Sequence, residues 1–172
     1  KSLDDIIGSF QRGELIILAG STSSGKSMFM MNLALNFAKN GKQVDIYSLE
    51  MKKSQLINRL VCAETGLNSD GFKKCNWTPK QLDIYADYIA KNVKELPINI
   101  NNFSRIDLNS LVCSVRKSTA EVVFIDYLGL IRNGTNKDTY SKISEISMEL
   151  KALANDSNKV IIALHQLSRA NV

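Results

Sequence analysis

Lys26 and Ser27 close the octet GSTSSGKS at residues 20–27, after Gly20, Ser21, Thr22, Ser23, Ser24 and Gly25. Glycines let a backbone curl until successive amide N–H groups point inward, which makes a cradle for phosphate oxygens. The octet fits the pattern G-x-x-x-x-G-K-[ST], a phosphate-binding P-loop. In such a loop Lys26 reaches the β- and γ-phosphates, and Ser27 offers its hydroxyl to Mg²⁺. The expected ligands are ATP or another nucleoside triphosphate, with Mg²⁺.

Two carboxylates complete the chemistry that a P-loop leaves open. Asp126 ends the run Val122, Val123, Phe124, Ile125, so it emerges at the carboxyl edge of a strand, where open sheets bind ligands. It is the natural partner of the metal. Tyr127 follows it, so a second carboxylate does not stand there as general base. Glu50, in YSLEM, ends another strand and can orient and deprotonate an attacking water. In IIALHQLSR, His165 and Gln166 are adjacent at a strand end. Successive side chains point to opposite faces, so only one of them faces the phosphate. A glutamine there can hydrogen-bond the γ-phosphate or the lytic water.

The elements that must position these groups alternate. Strands are expected at 15–19, 44–49, 97–101, 121–126 and 160–164, the first of them buried. Helices are expected at 27–39, 53–65, 79–94 and 108–117, with a long amphipathic helix carrying Ile143, Ile146, Leu150 and Leu153. Asp107 and Thr78 read as helix caps, with Pro79 at a first helical position. The pattern is α/β, a mostly parallel sheet with helices on both faces. Residues 132–139 form a polar interruption between strand and helix.

Composition sets the outer limits. Lys and Arg number 22 against 17 Asp and Glu, a net charge of +5 that permits a nucleic-acid partner without requiring one. The 44% apolar content and 172 residues suit one domain with a real core. Cys62, Cys75 and Cys113 form no C-x-x-C pair, which argues against a disulfide framework or zinc site and fits reduced thiols in the cytoplasm. No apolar run approaches the ~18–20 residues of a membrane span, and no signal peptide opens the chain.

Taken together, GELIILAGSTSSGKS, YSLEM, VVFIDYLGLI, ISEISMELKALA and IIALHQLSR resemble the ATPase domain of DnaB-type hexameric replicative helicases, in motif order and spacing across the whole chain. The resemblance implies a RecA-like P-loop NTPase core over residues 1–172, incomplete at its C-terminal end. It implies hydrolysis of a nucleoside triphosphate coupled to translocation on single-stranded DNA and unwinding of duplex. It assigns Glu50 as catalytic glutamate, Asp126 as metal aspartate and Gln166 as γ-phosphate sensor, and places DNA contacts at Arg132, Asn133, Gly134 and Lys137. It implies a homo-hexamer in the full-length protein, with primase and a helicase loader as partners and an arginine finger from a neighbouring subunit beyond Val172. The chain departs from the family at Gly20, where bacterial members commonly carry alanine, and at His165, where a small hydroxyl residue is usual. A RecA-like recombinase or a regulatory ATPase of another branch remains the alternative on the same core. A nucleotide-binding module without turnover and a P-loop kinase are further ones. Glu50 argues against the kinase, which needs no water-activating base.

Overall fold

The computed structural model describes residues 8–133 and 138–167. The strands among them are β1 (Leu15–Gly20), β2 (Val44–Ser48), β3 (Ile98–Asn102), β4 (Ile106–Asp107), β5 (Val122–Asp126), β6 (Ile131–Arg132) and β7 (Val160–Gln166). The helices are α1 (Lys26–Lys39), α2 (Lys53–Thr65), α3 (Ser69–Lys73), α4 (Pro79–Tyr88), α5 (Leu108–Lys117) and α6 (Thr139–Ser157). Five strands pair in parallel in the order β1-β7-β5-β2-β3, and β4 and β6 form a separate parallel pair.

Both faces of the main sheet are covered, so its strands carry continuous apolar runs instead of alternation. In β5, Val123 and Ile125 pack with Leu111 and Val115 of α5 and with Ile146 and Leu150 of α6. Val122 and Phe124 turn the other way, against Met30 and Ala34 of α1 and Leu56 and Leu60 of α2. The buried Lys159 donates to the carbonyls of Ser118 and Ala120, both at 2.7 Å, which fastens the start of β7 to the segment entering β5.

Local signals set the helix ends. Asp107 accepts from Ser110 N at 2.9 Å, and Asp138 accepts from Ser141 N at 2.8 Å. Thr78 accepts from Gln81 N ahead of Pro79. Asn158 closes α6 in the left-handed conformation, φ 52°.

Three expectations need correction, and some short elements were not expected. The first strand is not buried: β1 pairs only with β7 among the described residues, and Ile17 is 44% exposed. The helix expected at 79–94 leaves α geometry after Tyr88 for a π turn over Ile89–Val93. The segment 132–139 is not all loop, because Arg132 belongs to β6 and Thr139 opens α6. The β4–β6 pair and the short α3 had no counterpart in the sequence reading; elements of two and five residues are too brief to display a period.

Candidate nucleotide-binding and catalytic site

The octet bridges β1 and α1, as its flanks require. Gly25 stands at the N-cap of α1 with φ 88°, in the left-handed region open to glycine. No side chain caps α1 and its first turn carries no acid, so its leading N–H groups face outward for an anion. A β-carbon on Gly20 would lie 2.8 Å from Ser24 Oγ, so alanine there requires that hydroxyl to rotate. Lys26 Nζ donates to the carbonyls of Gly20 at 2.9 Å and Ser21 at 2.6 Å, which arches the ammonium over the loop.

Asp126 lies at the end of β5 and is 1% exposed. Ser27 Oγ donates to its Oδ2 at 2.9 Å. Burial pushes the Asp126 carboxyl above its ordinary value, against the Ser27 hydrogen bond that lowers it; the Glu50 charge raises it further, and Lys26 and Arg59 oppose. A desolvated carboxylate beside a hydroxyl suits a hard cation. Mg²⁺ takes one or two carboxylates and leaves its other positions to water and phosphate oxygens. Ser27 and Asp126 are such a donor pair, and the described residues hold no cluster of three or more His, Cys, Asp or Glu that competes as a metal site.

Glu50 follows β2 and is exposed. Ser48 is level with Asp126 in the β2–β5 register, and Leu49 N donates to Asp126 O at 2.7 Å. Gln166 is level with Gly20 in the β1–β7 register, and its Nε2 donates to Thr22 Oγ1 at 2.7 Å. Of the pair His165 and Gln166, the glutamine thus meets the P-loop. His165 shares the opposite face with Ile161 and Ala163, and its buried Nδ1 has no hydrogen-bond partner among the described residues.

These side chains line one cleft of about 820 Å³ at the carboxyl edge of the sheet. Thr22, Ser23, Ser24, Gly25, Lys26 and Ser27 line it together with Asp126, Gln166 and Glu50. The structure therefore brings together the P-loop, both carboxylates and Gln166. It adds Arg59 of α2, which lines the cleft and acts electrostatically on Asp126. Sequence reasoning missed Arg59. No local signal marked it, because a cation on a helix acquires its partner only through tertiary packing.

Of the residues expected to contact DNA, Arg132 and Asn133 are not among those lining the cleft. Arg132 is exposed in β6, and Asn133 Nδ2 donates to Glu145 Oε2 of α6 at 2.9 Å. Gly134 and Lys137 fall outside the described residues.

Comparison with known proteins finds relatives along the whole chain. The profile of the DnaB-like helicase C terminal domain matches residues 1–172. The chain is 37% identical over 175 residues to the replicative DNA helicase DnaB of Synechocystis sp., covering 98% of this chain and 20% of that protein. Among solved structures, a DnaB-like replicative helicase, described with its interactions with primase, superimposes with a TM-score of 0.83 at 28% identity, over 93% of this chain and 40% of that one. A second solved structure, described as an ATPase domain, gives 0.84 at 28% identity, over 94% of this chain and 60% of that one. The chain thus spans about a fifth of the Synechocystis relative's length.

Proposed function

Because the chain belongs to the DnaB-like helicase C-terminal domain family, with its α/β RecA-like fold, we propose that it is the ATPase motor of a replicative DNA helicase. Family membership leaves the recombinase and regulatory alternatives without support. The observation that carries the reading is the convergence of residues 22–27, Glu50, Asp126 and Gln166 on one cleft.

In this reading a nucleoside triphosphate, ATP in the first instance, is the substrate. The N–H groups of residues 20–27 and the N-terminus of α1 hold its phosphates. Lys26 neutralises charge on the β- and γ-phosphates. Ser27 and Asp126 would hold Mg²⁺, which would supply charge neutralisation at the β- and γ-phosphates. Glu50 accepts a proton from water as its oxygen attacks the γ-phosphorus, and the bond to the leaving diphosphate breaks. Gln166, linked to Thr22 before the substrate arrives, exchanges that hydrogen bond for one to the γ-phosphate.

Strand β7 carries Gln166, and the segment after β5 carries Arg132, Asn133, Gly134 and Lys137, which we assign to the backbone of single-stranded DNA. Turnover drives translocation along that strand and separation of duplex. A homo-hexamer of the full-length protein supplies an arginine finger in trans. Primase is an expected partner, as the primase interactions of the DnaB-like relative suggest, and a helicase loader is a further one. A cytoplasmic location suits this role, and no helix among the described residues is long and apolar enough to cross a membrane.

The test is Glu50→Gln in the full-length protein. Binding of ATP with Mg²⁺ should persist, while hydrolysis falls by ~10²–10⁴, the usual size of a general-base contribution. Loss of binding would make Glu50 structural, and unchanged hydrolysis would remove it from the mechanism.

A further inference from the structure

We propose that Asn102 positions Glu50 against the attacking water, an inference that rests on the reading of Glu50 as base. Glu50 belongs to no strand or helix, because β2 ends at Ser48 and α2 begins at Lys53. A carboxylate on such a turn is only as well placed as the turn itself. The turn is held from both sides. From β5, the carbonyl of Asp126 accepts Leu49 N at 2.7 Å. From β3, Asn102 Nδ2 donates to Ser48 O at 3.1 Å and to Met51 O at 2.8 Å.

An amide NH₂ has two protons, so one side chain serves both carbonyls and fixes the span from residue 48 to residue 51. Glu50 lies inside that span. Ser48 closes the turn from within: its Oγ donates to Met51 O at 2.7 Å and accepts from Met51 N at 3.2 Å. The next residue of the β3 segment reinforces the attachment. Phe103 N donates to Ser48 O at 3.0 Å, and its ring stacks on Tyr47 at 6.2 Å between centroids.

The residue type is specific to the task. Aspartate at 102 would set a carboxylate against two carbonyl oxygens, and alanine would remove the one donor common to both, leaving Ser48 O to Phe103 N and Met51 O to Ser48 Oγ. Asn102 is exposed and is not among the residues lining the cleft, so it acts through the turn and not on the substrate. A displacement of roughly 1 Å in a catalytic group costs on the order of 10²-fold in rate.

The experiment uses the full-length protein and four variants: Asn102→Ala, Asn102→Ser, Glu50→Gln and the double variant Asn102→Ala/Glu50→Gln. ATP hydrolysis gives kcat and KM, and a fluorescent ATP analogue with Mg²⁺ gives affinity. Asn102→Ala and Asn102→Ser should lower kcat by ~10–10²-fold with analogue affinity unchanged within about two-fold, since only a step after binding is affected. In the Glu50→Gln background the same alanine should change the residual rate by less than about two-fold, because residues acting as one unit are non-additive. A wild-type kcat in either Asn102 variant overturns the inference. So does an affinity loss that parallels the loss of turnover, or an equal loss in both backgrounds. Wild-type hydrolysis by Glu50→Gln alone is the distinct result that removes the base itself, and the role of Asn102 with it.

Discussion

Ser27 Oγ and Asp126 Oδ2 meet at 2.9 Å although the two residues stand 99 positions apart in the chain. The contact joins the first turn of α1 to the end of β5 and sits over a carboxylate that burial holds above its ordinary value. A cation placed here relieves a desolvated charge. Asp126→Asn keeps an oxygen for the Ser27 proton but loses that charge. In the full-length protein it should lower Mg²⁺-dependent hydrolysis by at least ~10²-fold, the scale of removing one fixed electrostatic stabiliser. Without nucleotide its melting temperature should be no lower than wild type, because a buried charge has been removed. Calorimetric melts beside a phosphate-release assay check both, and a large loss of stability would mean that Asp126 is chiefly structural.

Gln166 donates to Thr22 across the β1–β7 register. If it trades that partner for the γ-phosphate, Gln166→Ala should bind nucleotide within about three-fold of wild type and uncouple the two sites. The affinity for single-stranded DNA should then be the same with a non-hydrolysable triphosphate as with diphosphate, as expected when a ligand loses its differential contact with two states. Fluorescence anisotropy in both nucleotide states measures this, and a preserved difference removes Gln166 as the sensor.

Arg132 is exposed on β6, next to the Asn133–Glu145 contact. Arg132→Ala should weaken single-strand binding evenly across sequences and reduce the slope of log K against log salt by about 0.7, one phosphate contact on a single strand. Titrations at several salt concentrations in the assembled protein decide it. An unchanged slope, or a loss confined to one sequence, rejects a backbone contact.

Tyr88 donates its hydroxyl to Glu64 Oε2 at 3.1 Å. Burial first, then the Glu64 bond and charge, push the phenol up from 10.0 to about 12. The folded state therefore keeps a proton that the unfolded chain sheds near its ordinary value. The stability this contributes is complete below that value and is lost as pH rises toward 12. Tyr88→Phe should lower the melting temperature by about 2–4 °C near neutral pH. The gap should hold steady up to roughly pH 9 and narrow above 10. A gap that widens with alkali contradicts the assignment.

Much of the site was legible in the linear sequence because its signals are local. The octet at 20–27 carries its chemistry in its own residue types, and the apolar run before it and helix after it are short-range patterns. Asp126 could be placed at a strand end because four apolar residues lead directly to it, and Glu50 for a like reason. Asp107, Thr78 and Pro79 fixed helix starts through bonds spanning a few residues. Across the sheet, however, the groups stand in the order Gly20, Gln166, Asp126, Glu50, which is not their order in the chain. That order depends on β7 and β5 inserting between β1 and β2, a pairing between distant segments that no local period encodes. The period of two said that only one of His165 and Gln166 meets the phosphate; only the tertiary contact of Gln166 with Thr22 chose the glutamine. The exposure of Ile17 arises because β1 is paired on one side among the described residues, although its composition is that of a buried strand. Arg59 and Asn102 gave no sign of a role in the sequence, because a polar residue on a helix or strand end acquires one only from what tertiary packing sets beside it.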